Sequence, residues 1–90
     1  MKTNKVVISG LVQGIFFRNF IKEKADELGV KGHVRNLETG EVEVFLEGED
    51  GKVNKMVEIC KKGSPHSQVK EAVVEEIKHI GFEDFKVVNI

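Results

Sequence analysis

Apolar and polar positions change their period several times along this 90-residue chain. From Lys5 to Val12 the run is apolar and β-branched, which predicts a buried strand. From Phe17 the spacing becomes helical. Phe17, Phe20, Ile21, Ala25 and Leu28 share one face, and Gly29 is a natural C-terminal stop. Residues 30–36 read as a second strand, and Leu37-Glu38-Thr39-Gly40 has turn chemistry. Glu41 to Glu47 then alternates as a strand with one wet face, closing a hairpin. Asp50 can cap a second helix, in which Val53, Met56, Val57 and Cys60 share a face. Gly63 ends that helix, and Pro65 follows as punctuation.

Residues 68–77 are ambiguous by period. Their Lys/Glu content suggests helix, whereas Val69, Val73 and Val74 suggest strand. The order of elements decides for strand, and Phe85 and Val87 alternate in a closing strand. The pattern is β-α-β-β-α-β, an α+β ferredoxin-like sandwich. One antiparallel sheet is expected to carry two helices on one face. Residues 1–90 are expected to form a single domain.

Composition narrows the functional classes. The chain is 40% hydrophobic and 32% charged, as a soluble globular protein is. Its net charge of −1 and pI of about 6.3 remove the electrostatic footprint of a non-specific nucleic-acid binder. No apolar run approaches a membrane span, and Met1 to Lys5 leads into a strand without a secretory h-region. One cysteine, Cys60, allows neither an internal disulfide nor a cysteine-rich zinc site. The expectation is a cytoplasmic protein. Of 14 basic residues only Arg18 and Arg35 are arginine. Lineage bias toward lysine accounts for that as well as a need for planar guanidinium does.

The segment Gly10-Leu11-Val12-Gln13-Gly14-Ile15-Phe16-Phe17-Arg18 joins the first strand to the first helix. A loop entering a helix N-terminus presents unpaired N–H groups at the positive end of the helix dipole. Gly14 permits left-handed backbone there. The pattern Gly-x-x-x-x-Gly-Lys-Ser/Thr is absent, so this is not a Walker loop. A cation in the first helical turn opposes the dipole by ~0.3–1 kcal/mol. A bound dianion would reverse that sign, with Arg18 offering a fork to two oxygens and loop amides holding the third. A solvated surface arginine is the plainer alternative. Asn36 ends the second strand, where its carboxamide could orient a water or simply begin a turn.

The other reactive side chains carry less. His33, His66 and His79 lack metal-ligand spacing, and no carboxylate pair has a defined geometry. Cys60 lies on an apolar helix face, as an inert thiol does. An RNA-recognition domain shares the element order, but the third strand offers only Phe45 for stacking.

Those segments resemble the acylphosphatase family. Gly10 to Arg18 looks like its first signature. Gly32-His33-Val34-Arg35-Asn36-Leu37-Glu38-Thr39-Gly40-Glu41-Val42, followed by Gly48, resembles its second. Gly63-Ser64-Pro65 and Phe85-Lys86-Val87-Val88 also fit, so the resemblance spans nearly the whole chain in order. Ile15 stands where valine is usual, His33 replaces the usual aromatic, and Phe16 occupies a variable position.

The resemblance implies an enzyme that hydrolyses acyl phosphates to a carboxylate and inorganic phosphate. It implies a phosphate-binding loop of Gln13, Gly14, Ile15, Phe16, Phe17 and Arg18. It assigns Arg18 and Asn36 as catalytic, Arg18 on the phosphoryl group and Asn36 on the attacking water. No metal or cofactor is implied. Inorganic phosphate would be product and inhibitor of a monomer with no nucleic-acid or membrane partner. The rival reading is a non-catalytic ferredoxin-like module that senses an anion or serves a partner.

Overall fold

The computed structural model describes residues 1–12 and 14–88. Its elements are β1 (Lys2–Leu11), α1 (Ile15–Leu28), β2 (Lys31–Asn36), β3 (Val42–Gly48), α2 (Asp50–Lys62), β4 (Gln68–Glu76) and β5 (Phe85–Val88). The ambiguous segment is therefore a strand. Its Lys and Glu side chains are exposed along β4, an outer strand of the sheet.

The strand order is β4-β1-β3-β2-β5. The ferredoxin-like α+β expectation holds, with one correction to the sheet: it has a fifth strand beyond the β-α-β-β-α-β pattern and is mixed rather than wholly antiparallel. β5 pairs parallel to β2, with Phe85 opposite Gly32 and Val87 opposite Val34, while the other pairs are antiparallel. The chain turns back between β4 and β5, so the closing strand enters the outer edge in the same sense as β2.

One sheet face carries both helices. Val6 and Ile8 of β1, Val34 of β2, and Val42, Val44 and Leu46 of β3 are fully buried there. Phe17, Ile21 and Ala25 of α1 and Val53, Met56, Val57 and Cys60 of α2 complete the cluster, as their spacing predicts. Cys60 is fully buried, and burial pushes its thiol up to about 12, so it is inert at neutral pH.

The opposite face corrects a second expectation. Glu43 and Glu47 were expected on a wet face, yet they are only 5% and 2% exposed. The connection between β4 and β5 folds across Glu47, while Lys5, His33 and Arg35 surround Glu43. Glu47 accepts backbone N–H bonds from Ile80, Gly81 and Phe82 at 2.7, 2.9 and 2.8 Å, and a 2.6 Å hydroxyl bond from Thr3. Burial raises the Glu47 pKa, but these four donors outweigh it and hold the carboxyl down to about 2. Phe82 closes the same face in an aromatic trio with Phe45 and His33, whose rings meet edge-on at 4.6 Å. His33 thus fills the aromatic position with an imidazole. Its Nε2 lies 3.5 Å from Glu43 Oε1, and burial lowers its pKa.

Asp50 does not cap α2 with its side chain. Glu49 is the N-cap residue, and Asp50 lies in the first turn, where its charge faces the helix dipole favourably. β1 also starts earlier than the apolar run suggests, because Lys2, Thr3 and Asn4 pair with Gly48, Glu47 and Leu46.

Candidate active site

The turn between β1 and α1 is shaped at three points. β1 is irregular between Ser9 and Gly10, where its register with β4 shifts. A side chain at Gly10 would collide with the β4 backbone, meeting the Lys70 nitrogen at 2.7 Å, and its φ of 124° also demands glycine. Val12 then plugs into the core, fully buried. Gly14 takes φ 99° and ψ 164° as the N-cap of α1 and supplies no side-chain cap. Gln13 falls outside the described residues.

The remaining sequence-predicted loop residues are the first turn of α1. Ile15, Phe16, Phe17 and Arg18 follow Gly14 in the helix. Phe17 anchors the turn in the core, 3% exposed, whereas Ile15 and Phe16 face outward. The first N–H groups of a helix have no acceptor within it. α1 has no acidic residue in its first turn and no side-chain cap. Its N-terminus is thus built unlike that of α2, which carries Asp50. Arg18 is half-buried, and its Nε reaches the Gly14 carbonyl at 3.4 Å.

Asn36 arrives from β2. It pairs with Val42, and Val42 pairs with Ile8, so the three residues form one row across β2, β3 and β1. Alternation from buried Val34 puts the Asn36 side chain on the helix-bearing face. β1 and β2 both run out toward this end, and β1 delivers the chain to the N-terminus of α1. The turn after Asn36 is closed by Leu37 N–H to Glu41 O at 2.8 Å and Gly40 N–H to Leu37 O at 3.0 Å. A short, hydrogen-bonded turn fixes the strand end.

The Asn36 Oδ1 is buried and has no hydrogen-bond partner among the described residues. An unsatisfied buried acceptor costs ~1–3 kcal/mol, so its retention calls for a reason. An acceptor of this kind can hold a water through one of its O–H bonds.

Arg35 faces the other way. Its Nε donates to Glu43 Oε1 at 2.8 Å, and Lys5 approaches the same carboxylate at 3.9 Å. Burial raises the Glu43 pKa, but the Arg35 guanidinium with His33 and Lys5 holds it below the ordinary value. The structure therefore brings Gly14, Ile15, Phe16, Phe17, Arg18 and Asn36 to one end of the molecule and leaves Arg35 on the opposite face. His79 lies elsewhere, 3.2 Å from Glu47. Among the described residues no three His, Cys, Asp or Glu side chains converge as a metal cluster. Also among those residues, no helix is long and apolar enough to cross a membrane.

One feature beside the site escapes the sequence pattern. Leu11 is 70% exposed and Phe16 is 86% exposed, so large apolar side chains flank the turn. Phe20, read as core from its spacing, is only half-buried. The i to i+4 step from Phe16 to Phe20 is the signal that could have revealed an apolar strip beside the turn.

The family model described as Acylphosphatase matches residues 4–87. The chain is 49% identical over 75 residues to an acylphosphatase of Rubrobacter xylanophilus, covering 83% of this chain and 68% of that one. It is 40% identical over 87 residues to an acylphosphatase of Methanocella arvoryzae, covering 97% and 99%. The crystal structure of an acylphosphatase from Bacillus subtilis superposes with a TM-score of 0.92 at 34% identity, covering 99% of this chain and all of that one.

Proposed function

The chain belongs to the acylphosphatase family, and from that premise we propose how its residues divide the hydrolysis of acyl phosphates. The phosphoryl group docks at the N-terminus of α1. Backbone N–H groups of the first turn and the Arg18 guanidinium take its equatorial oxygens. Asn36 accepts a hydrogen bond from the attacking water and aims its oxygen at phosphorus. The observation that carries this division is the buried, unpartnered Asn36 Oδ1 at the end of the sheet that leads into α1.

The water oxygen bonds to phosphorus as the bond from phosphorus to the acyl oxygen breaks. The electron pair of that bond leaves on the carboxylate, and the water proton passes to a phosphoryl oxygen. A carboxylate has a conjugate-acid pKa of roughly 4–5 and departs without protonation. An ordinary phosphate ester expels an alkoxide and generally needs an acid or a metal. Phosphoryl transfer demands positioning and electrostatic stabilisation above all. Amides, one arginine and one carboxamide are then sufficient for acyl phosphates and poor for esters.

The reading extends to a single-domain monomer that uses no metal or cofactor and works in the cytoplasm. It acts on small molecules rather than nucleic acid or membranes, and inorganic phosphate is both product and inhibitor. Hydrolysis of benzoyl phosphate in ¹⁸O-labelled water tests the step directly. Label in the released phosphate is expected. Label in benzoate would place the attack at the carbonyl carbon and refute the assignment of Asn36.

A further inference from the structure

Phe16, Phe20 and Lys24 follow one another at successive turns on one side of α1. Phe20 packs at the edge of the core. With Ile59 of α2 and Gly63 and Pro65 of the turn after it, Phe20 walls an open groove of about 420 Å³, rimmed by Lys24 and Lys62. Helical side chains lean toward the N-terminus, so Phe20 covers the turn that contains Phe16. The groove also approaches the site from its other wall. Residues 63–67 run into β4, whose first residue, Gln68, pairs with Leu11 at the exit of β1. Both walls of the groove thus lead toward the phosphate turn.

The mouth between them is apolar. Leu11, Ile15 and Phe16 are 70%, 40% and 86% exposed. Clustered exposure of large apolar side chains marks a binding surface rather than ordinary solvent-facing residues. The occupant follows from the bonding of the substrate. If the phosphoryl group lies at the N-terminus of α1, the acyl group covalently attached to it must leave across an adjacent surface, and this one is apolar. From Arg18 to Lys24 the helix advances about 9 Å, which matches an aryl ring or a medium-length alkyl chain.

We infer that the strip from Phe16 into the Phe20–Pro65 groove is an acyl subsite that selects acyl phosphates with a large apolar acyl group. This rests on the phosphate-site reading above. The phosphoryl site supplies chemistry common to all acyl phosphates, and the groove supplies the preference among them.

Wild type, Phe20→Ala and Ser64→Trp are to be compared on octanoyl phosphate and acetyl phosphate. Ser64 faces the groove, so an indole there would fill it. Wild type is expected to favour octanoyl phosphate in kcat/KM. Each variant should lose about tenfold on octanoyl phosphate, the scale of burying part of one apolar side chain, and stay within about twofold on acetyl phosphate. Phe20→Ala removes a ring from the edge of the core, so its melting is followed in parallel; Ser64→Trp leaves the core alone and decides the matter if the alanine variant does not fold. Equal handling of both substrates by all folded proteins overturns the acyl subsite and leaves the phosphate site standing. Wild type inert on both substrates overturns the phosphate-site reading, and the acyl subsite with it.

Discussion

Asn36→Ala separates the cost of building the site from its catalytic return. In the free protein, Asn36 Oδ1 is buried without a partner among the described residues. Removing it breaks no hydrogen bond to another described residue. The position is half-buried at a strand end whose turn is closed by backbone bonds, so little packing is lost. The melting temperature should therefore hold. Catalysis should fall. Loss of one positioning hydrogen bond, on the scale of a single oxyanion-hole donor, costs ~2.7–4 kcal/mol, or about 10²–10³ in kcat. Inhibition by inorganic phosphate should stay near wild type, because Asn36 is assigned to the water and Arg18 to the phosphoryl group. The assay pairs initial rates on benzoyl phosphate with the phosphate inhibition constant and thermal melts. Full turnover in the alanine variant would refute the water-positioning role. Equal losses in kcat and in phosphate affinity would move Asn36 onto the phosphoryl group instead.

Arg18→Lys keeps the charge but loses the planar fork, so kcat/KM should fall by about 10² or more and the phosphate inhibition constant should rise; wild-type kinetics would remove Arg18 from the site. The depressed Glu47 pKa of about 2 stabilises the fold above the ordinary carboxyl pKa, and that stability is lost as pH falls through the 4.5-to-2 window. The shift corresponds to at most about 3 kcal/mol, and melts of wild type and Glu47→Gln between pH 7 and pH 2 should show the variant both less stable at pH 7 and flatter with pH. Cys60→Ser should leave turnover unchanged while costing ~1–3 kcal/mol of stability, as a hydroxyl replaces a thiol in a fully buried apolar position; denaturant melts alongside initial rates measure both.

The helix-bearing half of the fold was legible because apolar side chains alone build it. Phe17, Ile21 and Ala25, like Val53, Met56 and Cys60, follow helical period and bury as that period requires. The other face was misread because its burial is polar. Glu43 and Glu47 alternate with Val42, Val44 and Leu46 just as solvated residues would, and local sequence does not reveal that residues 80–82 return to donate three N–H groups. The parallel entry of β5 was hidden for a related reason. Strand direction is a property of the chain's path after β4, and the alternation of Phe85 and Val87 is the same in either sense. At the site, the glycines and Arg18 were visible as departures from ordinary helix-start chemistry. The unpartnered state of Asn36 was not, because turn asparagines are common and only the strand row shows where its oxygen lies.

Arg35 bears on the question that composition left open. Arg35 and Lys5 approach the same carboxylate, and they do so differently. Arg35 makes a 2.8 Å hydrogen bond to Glu43, while the lysine ammonium remains at 3.9 Å, contributing charge without a directed bond. At Glu43 the guanidinium therefore grips the carboxylate and the ammonium only adds charge. Arg35 grips an internal oxyanion on one face of the sheet, where the consequence is stability. Arg18 stands in the first turn of α1, and under the proposed function the oxyanion it takes is the phosphoryl group of the substrate. On that proposal the unfavourable dipole has a compensation. The ~0.3–1 kcal/mol it costs the free protein is small beside the charge-assisted bonds a phosphoryl dianion would restore, and it makes the bound state electrostatically more favourable than the empty one.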